Sequence, residues 1–334
     1  MEDIGEVKVK LNTAIKVIPL ISVTVLGIVF FAFSSDKPDK SKKTLDQRSE
    51  LLRKEKLSPA FEHLKNLHKK RGPIMPGDWL ESHEEHGQSV ARYIKNKPNK
   101  PDNIKKFIYI QLIGKFSESQ EKVLDQTLEY MQVSFGLPVK KLKSFPLDKI
   151  PQTAQRIHPR WKVHQLYTRY LMDKVLFPNR PKDAVALIGF TGVDLYPDPN
   201  WNFVFGIASL RHRIGLWSIF RNGDPSVNED TFKRCLKRTI ATAIHETGHI
   251  LSIEHCIAYE CVMAGCNNRQ ESDRRNLYYC PACLQKLSWN TGQKPEDRFK
   301  KLIPLCEKLK LDKEKKFFEK SLQALKDKKL VNSP

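Results

Sequence analysis

The sequence predicts an α/β protein with a mixed sheet in its middle, a long helix bearing a metal-type motif, and a helical C-terminal part. Three observations carry this reading. Short apolar runs rich in β-formers recur between residues 107 and 220. A helical pattern then covers about 229–251, and from 294 onward apolar residues return only at helical spacing. Strands first and helices after them suit a domain with a cleft between an upper and a lower half.

Each element follows from its own residues. "FIYIQLIG" (107–114) is a strand, and "SESQEKVLDQTLEYMQVSF" behind it is a helix with Val123, Leu124, Leu128, Met131 and Phe135 on one face. Gly136 and Pro138 close that helix. "LPVKKLKSF" reads as a second strand and "WKVHQLYTRYLMDKVL" (161–176) as a second helix. "AVALIGF" (184–190), "NFVFGIASL" (202–210) and "GLWSIF" (215–220) supply three more strands, parted by Gly, Pro and Asp. In the tail, Phe299, Leu302, Ile303 and Leu305, then Phe317, Phe318, Leu322 and Leu325, repeat as helix faces.

The first hundred residues differ in composition. Residues 1–16 form an N-terminal tail, and 17–33 carry no charge, at the short end of what spans a bilayer. They predict a single transmembrane anchor, with a cleaved signal peptide over 1–34, and hence the secretory pathway, as the alternative. Lys37, Lys40, Lys42, Lys43 and Arg48 follow the segment, against Lys8, Lys10 and Lys16 before it. That excess places the body of the protein on the cytosolic side of a membrane. Residues 34–105 read as a charged linker with short helices, ahead of the main domain over 106–330.

Lys and Arg exceed Asp and Glu by 58 to 38, a net charge of +20 in 334 residues. The surplus lies in short runs mixed with acids and Pro, without the aromatic interleaving or helix framework of nucleic-acid binders. Nucleic acid is therefore the lesser partner, and solvated faces are the plainer reading.

"HETGHILSIEH" (245–255) carries the chemistry. On a helix His245 and His249 stand one turn apart on one side, so both can reach one metal ion, with Glu246 beside it as general base. His255 follows too late for the same face, so the helix must stop near 251 and the chain must turn back. Ser252 must then adopt a left-handed conformation, at a cost of roughly 1–2 kcal/mol. "SHEEH" (82–86) has its histidines three apart and reads as a surface helix. Cys256 and Cys261 frame the next turn, and Cys280 and Cys283 form "CPAC", a knuckle that lets thiolates hold zinc; disulfides are the alternative use. Cys235, Cys266 and Cys306 read as core or unassigned thiols.

"HETGHILSIEHC", Cys261, Met263 and "CPAC" together resemble the signature of the archaemetzincins, zinc peptidases of the metzincin clan. "PGDWLESHEEHGQS", "DLYPDPNWNFVFGIASL", "LWSIFR" and "ESDRRNLYYCPACLQKL" are similar to the eukaryotic members, and the likeness covers roughly 75–310. The resemblance implies two zinc ions. His245, His249 and His255 would bind the catalytic one, and Cys256, Cys261, Cys280 and Cys283 the structural one. It also implies Glu246 as base, Met263 as the apolar floor of a Met-turn, and an edge strand at Phe203, Val204, Phe205 and Gly206 that pairs with substrate. The implied activity is peptide-bond hydrolysis, with aminopeptidase action as the finer expectation. A catalytically inactive, zinc-stabilised peptide-binding module is the alternative. Two features depart from the family pattern: Ser252 stands where the family has glycine, and the apolar N-terminal segment lies outside the signature.

Overall fold

The computed structural model describes residues 40–331. Its strands are β1 (Phe107–Ile113), β2 (Val139–Lys141), β3 (Gln155–Ile157), β4 (His164–Tyr167), β5 (Ala184–Thr191), β6 (Asp194–Tyr196), β7 (Gly206–Ser209) and β8 (Ile214–Ser218). Five form the main sheet in the order β2-β1-β5-β8-β7, and β3-β4-β6 form a small second sheet. In the main sheet only β7 runs antiparallel, paired to β8 at the edge. β5 lies between two parallel neighbours and is buried along its whole length, which is why it reads as a continuous apolar run.

Between β1 and β2 the chain crosses over through the helix Glu118–Phe135. Its start is fixed by Ser117 and Gln120, each side chain satisfying the other's backbone N–H. Its end is set by Gly136, whose φ of 64° suits the left-handed cap. Under the sheet lies the long helix Glu229–Ile250, opened by a reciprocal cap between Asn228 and Thr231. Ile108, Ile110 and Ile188 of the sheet, Leu124 and Met131 of the crossover helix, and Ile240 and Ile244 of the long helix share one core. Phe299, Leu302, Phe318 and Leu325 from the tail helices Pro295–Lys308 and Asp312–Val331 complete it. The opposite sheet face covers a second core around Leu166, Leu171, Val175, Leu187 and Leu216.

Several expectations change. The helix expected over 161–176 divides into β4 and a helical stretch at 168–179, because β4 is taken up by parallel pairing to β6 and antiparallel pairing to β3. Side-chain pairing across a sheet outweighs local helix preference there. In 202–210 only Gly206–Ser209 is strand; Val204 makes an isolated bridge to Leu195. Phe203 and Phe205 are instead held by the guanidinium groups of Arg221 and Arg269. "SHEEH" is not a surface helix, since the helix there is Trp79–Ser82 and residues 83–89 run as a loop. In the stretch read as linker, Phe61, Leu64 and Tyr93 are buried in the main core, and Trp79 and Leu80 pack on Ile257.

The single-pass membrane placement is also corrected. Among the described residues no helix is long and apolar enough to cross a membrane, and the segment 17–33 that prompted that placement lies outside them.

Candidate active site

The long helix delivers His245, Glu246 and His249 from its last turns. Beyond Ile250 the chain reverses at Ser252, whose φ is 69°. Ser252 N–H donates to His249 O at 2.7 Å and Ile253 N–H to Gly248 O at 3.0 Å, so the last carbonyls of the helix are satisfied. The serine hydroxyl accepts from Asn99 N–H at 3.0 Å, and the Asn99 amide donates to Ile250 O at 2.9 Å. A hydrogen bond contributes about 0.5–1.5 kcal/mol net, comparable to the cost of the left-handed residue. The turn therefore forms with serine in place of glycine.

That turn brings His255 back to the other two. The ring nitrogens of His245, His249 and His255 lie within 4.8 Å of one another. His245 Nδ1 sits 2.7 Å from Val262 O and His249 Nδ1 2.7 Å from Ile253 O. A carbonyl only accepts, so each Nδ1 carries the proton and each Nε2 presents its lone pair; Arg275 Nη1, 3.1 Å from His245 Nδ1, donates instead to Ala264 O at 3.0 Å. Those two Nε2 atoms stand 3.0 Å apart, and His255 Nε2 is buried with no partner. Lone pairs facing one another without a proton between them repel unless a cation sits among them. Zinc with nitrogens at about 2.0–2.1 Å would set them about 3.3 Å apart, so the three rings fit that ion.

Burial reinforces the neutral state. It drives His245 well below the ordinary histidine range and, with the neighbouring His255, lowers His249 to about 3. Glu246 is pushed up to about 7 by burial, against the pull of His255 and Arg275, and its Oε2 has no partner. A carboxyl poised there can exchange protons near neutrality.

Met263 closes the floor. It is fully buried, and a Cβ on Gly248 would come within 2.6 Å of its sulfur. Only glycine at 248 lets the methionine sit this close to the helix, between His245 and His249 in sequence. Cys256 N–H donates to Met263 O at 2.8 Å, tying that floor to the segment after His255.

Cys256, Cys261, Cys280 and Cys283 gather with sulfurs within 4.8 Å of one another, none in a disulfide. Cys256 Sγ and Cys280 Sγ are 3.7 Å apart. Four sulfurs about 2.3 Å from a central zinc would stand about 3.8 Å apart, so these residues fit the ion. Hydrogen bonds from Cys261, Cys280 and Cys283 hold the Cys256 thiol well below its usual range, whereas burial pushes Cys261 and Cys280 well up. A dication at the centre would let all four ionise. Among the leftover thiols Cys235 and Cys306 are buried and Cys266 half-buried.

The edge strand β7 borders the histidines. A cavity of about 300 Å³ runs past Ala208, Leu210, His249, His255 and Glu254. A recess of about 40 Å³ below Glu246 reaches Phe205, Gly206, Arg269 and Arg275. Of the four residues expected to make the substrate strand, only Gly206 is in β7; Phe203, Val204 and Phe205 lead into it.

The structure adds one residue that the sequence reading assigned to the surface. Glu85 Oε1 lies 2.5 Å from His255 Nδ1 and accepts from Trp79 Nε1 at 2.8 Å. No local spacing signals it, since Glu85 and His255 are 170 positions apart.

Residues 108–289 match the family model described as Peptidase family M54. Archaemetzincin-2 of Homo sapiens is 32% identical over 266 residues, 70% of this chain and 73% of that protein. Archaemetzincin-2 of Mus musculus is 31% identical over 278 residues, covering 74% and 77%. Among solved structures, the archaemetzincin of Archaeoglobus fulgidus complexed with malonate is 28% identical and covers 54% of this chain and 99% of that one, with a TM-score of 0.42.

Proposed function

This chain belongs to peptidase family M54 and is a zinc metallopeptidase, and from that premise we propose that it cleaves peptides with Glu246 as general base. The observation that carries the proposal is the convergence of the three imidazole Nε2 atoms beside a buried, unpartnered Glu246 oxygen. His245, His249 and His255 would hold one zinc ion, and Cys256, Cys261, Cys280 and Cys283 a second, structural one. Zinc with three protein ligands and an open position supplies Lewis acidity and lowers the pKa of water from 15.7 to about 7.

The protein's own groups do the rest. Glu246 takes a proton from water as it adds to the peptide carbonyl, and returns it to the leaving amine. No side chain becomes bonded to the substrate. Met263 supports the histidines from below, and the free edge of β7, entered through Phe203, Val204, Phe205 and Gly206, offers backbone groups to an extended peptide. The finer reading is aminopeptidase action, in which the larger cavity beside His249 and His255 would take a substrate's N-terminal end. An inactive peptide-binding module would need the turn before His255 to fail, and Ser252 completes that turn.

The test is Glu246→Gln on fluorogenic peptides with free or acetylated N-termini. Activity should fall about 10²–10⁴-fold with zinc content unchanged, and acetylation should abolish wild-type cleavage. Full activity in Glu246→Gln rejects the base assignment, and equal cleavage of acetylated peptides rejects the aminopeptidase reading.

A further inference from the structure

We propose that Glu85 is a positioning residue of the histidine site, and that residues 71–88 form a strap that builds this part of the active site from outside the segment matching the family model. The inference rests on the reading of His255 as a metal ligand.

The three histidines are not held alike. His245 and His249 give their Nδ1 protons to neutral carbonyls on elements next to them in the fold, Val262 and Ile253. His255 alone faces a carboxylate, with Nδ1 and Glu85 Oε1 at 2.5 Å. A carboxylate in that position fixes the tautomer, sets the ring plane, and makes the opposite nitrogen a stronger donor to a metal. His255 is also the ligand delivered by the strained Ser252 turn rather than by the helix. It therefore gains most from an external hold.

Glu85 is itself fixed. Trp79 Nε1 donates to it at 2.8 Å, and the Trp79 ring meets the His255 ring edge-on with centroids 5.1 Å apart. The indole is seated over Gly265, where a Cβ would come within 2.6 Å of it. Trp79 N–H donates to Glu271 at 3.0 Å, and Glu271 pairs with Arg71 at 2.7 Å. On the far side of Glu85, Gln88 donates to Ser252 O at 3.1 Å and accepts from Glu254 N–H at 3.2 Å, while Lys286 donates to its carbonyl. The strap is thus anchored on both flanks of the His255 turn. A surface ion pair would need none of this, and such a loop has no reason to aim one carboxylate at the half-buried His255 ring.

The experiment measures zinc stoichiometry and zinc release to a chelator for the full chain and for Glu85→Gln, Glu85→Ala, Trp79→Phe and His255→Ala. The imidazole ¹⁵N shifts of His255 are read alongside, since they report its tautomer. Expected are loss of one zinc in His255→Ala, a 10–100-fold weaker hold on that same zinc in both Glu85 variants, a smaller loss in Trp79→Phe, and altered His255 shifts. The second zinc should be held as in the wild type. If His255→Ala loses one zinc but the Glu85 variants bind both as tightly as the wild type, the positioning role is overturned and the ligand assignment stands. If His255→Ala keeps both ions, the ligand assignment fails and the inference falls with it. Loss of both zincs together with unfolding in Glu85→Gln would overturn it in favour of a purely structural strap.

Discussion

Ser252 shows how a single residue can satisfy a demand that a motif assigns to another. Glycine meets φ > 0 without steric cost; serine meets it at 69° with a hydroxyl that accepts from Asn99 N–H. Ser252→Ala keeps the strain and loses that bond, and should lower stability by about 1 kcal/mol. Ser252→Val, branched at the position that least tolerates it, should cost more and reduce zinc in the histidine site. Both outcomes are read from melting curves and metal analysis, and a Ser252→Ala protein as stable as the wild type would deny the hydroxyl any role. At this scale the sequence was legible wherever function is written as spacing. His245, His249 and His255 announce themselves because a helix turn and a chain reversal have fixed lengths. Glu85 does not, because its link to His255 crosses 170 positions and no period encodes such a distance.

Elements carry the next set of constraints. The helix Glu229–Ile250 positions two histidines, yet its fit depends on the floor below it, where Gly248 admits Met263. Gly248→Ala should force these apart, destabilising the protein by about 1–3 kcal/mol and, on the proposed assignment of two ions, weakening zinc at the histidines more than zinc at the cysteines. Metal release measured ion by ion separates the two. Strands such as β1 and β5 could be read directly, since continuous apolar runs mark buried parallel strands. β4 could not be read. His164–Tyr167 lacks strand alternation and is made a strand by its partners β3 and β6, which lie elsewhere in the sequence. The same holds for Phe203 and Phe205, whose aromatic rings favour a strand in the sequence and serve instead as platforms for Arg221 and Arg269.

For the whole molecule, the segment read as linker is joined to the body at several points. His68 is one of them. It is buried, edge-on to the rings of Tyr259, Tyr278 and Phe317, and burial lowers it to about 4 from the usual 6.5. Between those values the unfolded chain binds a proton that the folded chain refuses. Stability from this group is therefore full above about pH 6.5 and lost as pH falls to about 4, an effect of about 3 kcal/mol. His68→Phe should flatten that part of the melting-temperature profile between pH 7 and pH 4.5; an unchanged acid slope would assign it to other groups. Metal removal should also act unevenly. A chelator that empties the histidine site leaves its rings hydrogen-bonded to Val262, Ile253 and Glu85, so circular dichroism should change little. Stripping the four cysteines should loosen 256–283, whose ends those sulfurs draw together.

The strap has one more consequence, in the order in which the chain is made. Its bonds join residues 170, 192 and 198 positions apart, and contacts of that span close late in folding. A chain still on the ribosome with its first two hundred residues exposed holds Glu85 and Trp79 but none of the three histidines. Completion of the hydrolytic site therefore waits until the chain has been synthesised past His255, and the partly made protein cannot yet hydrolyse a peptide.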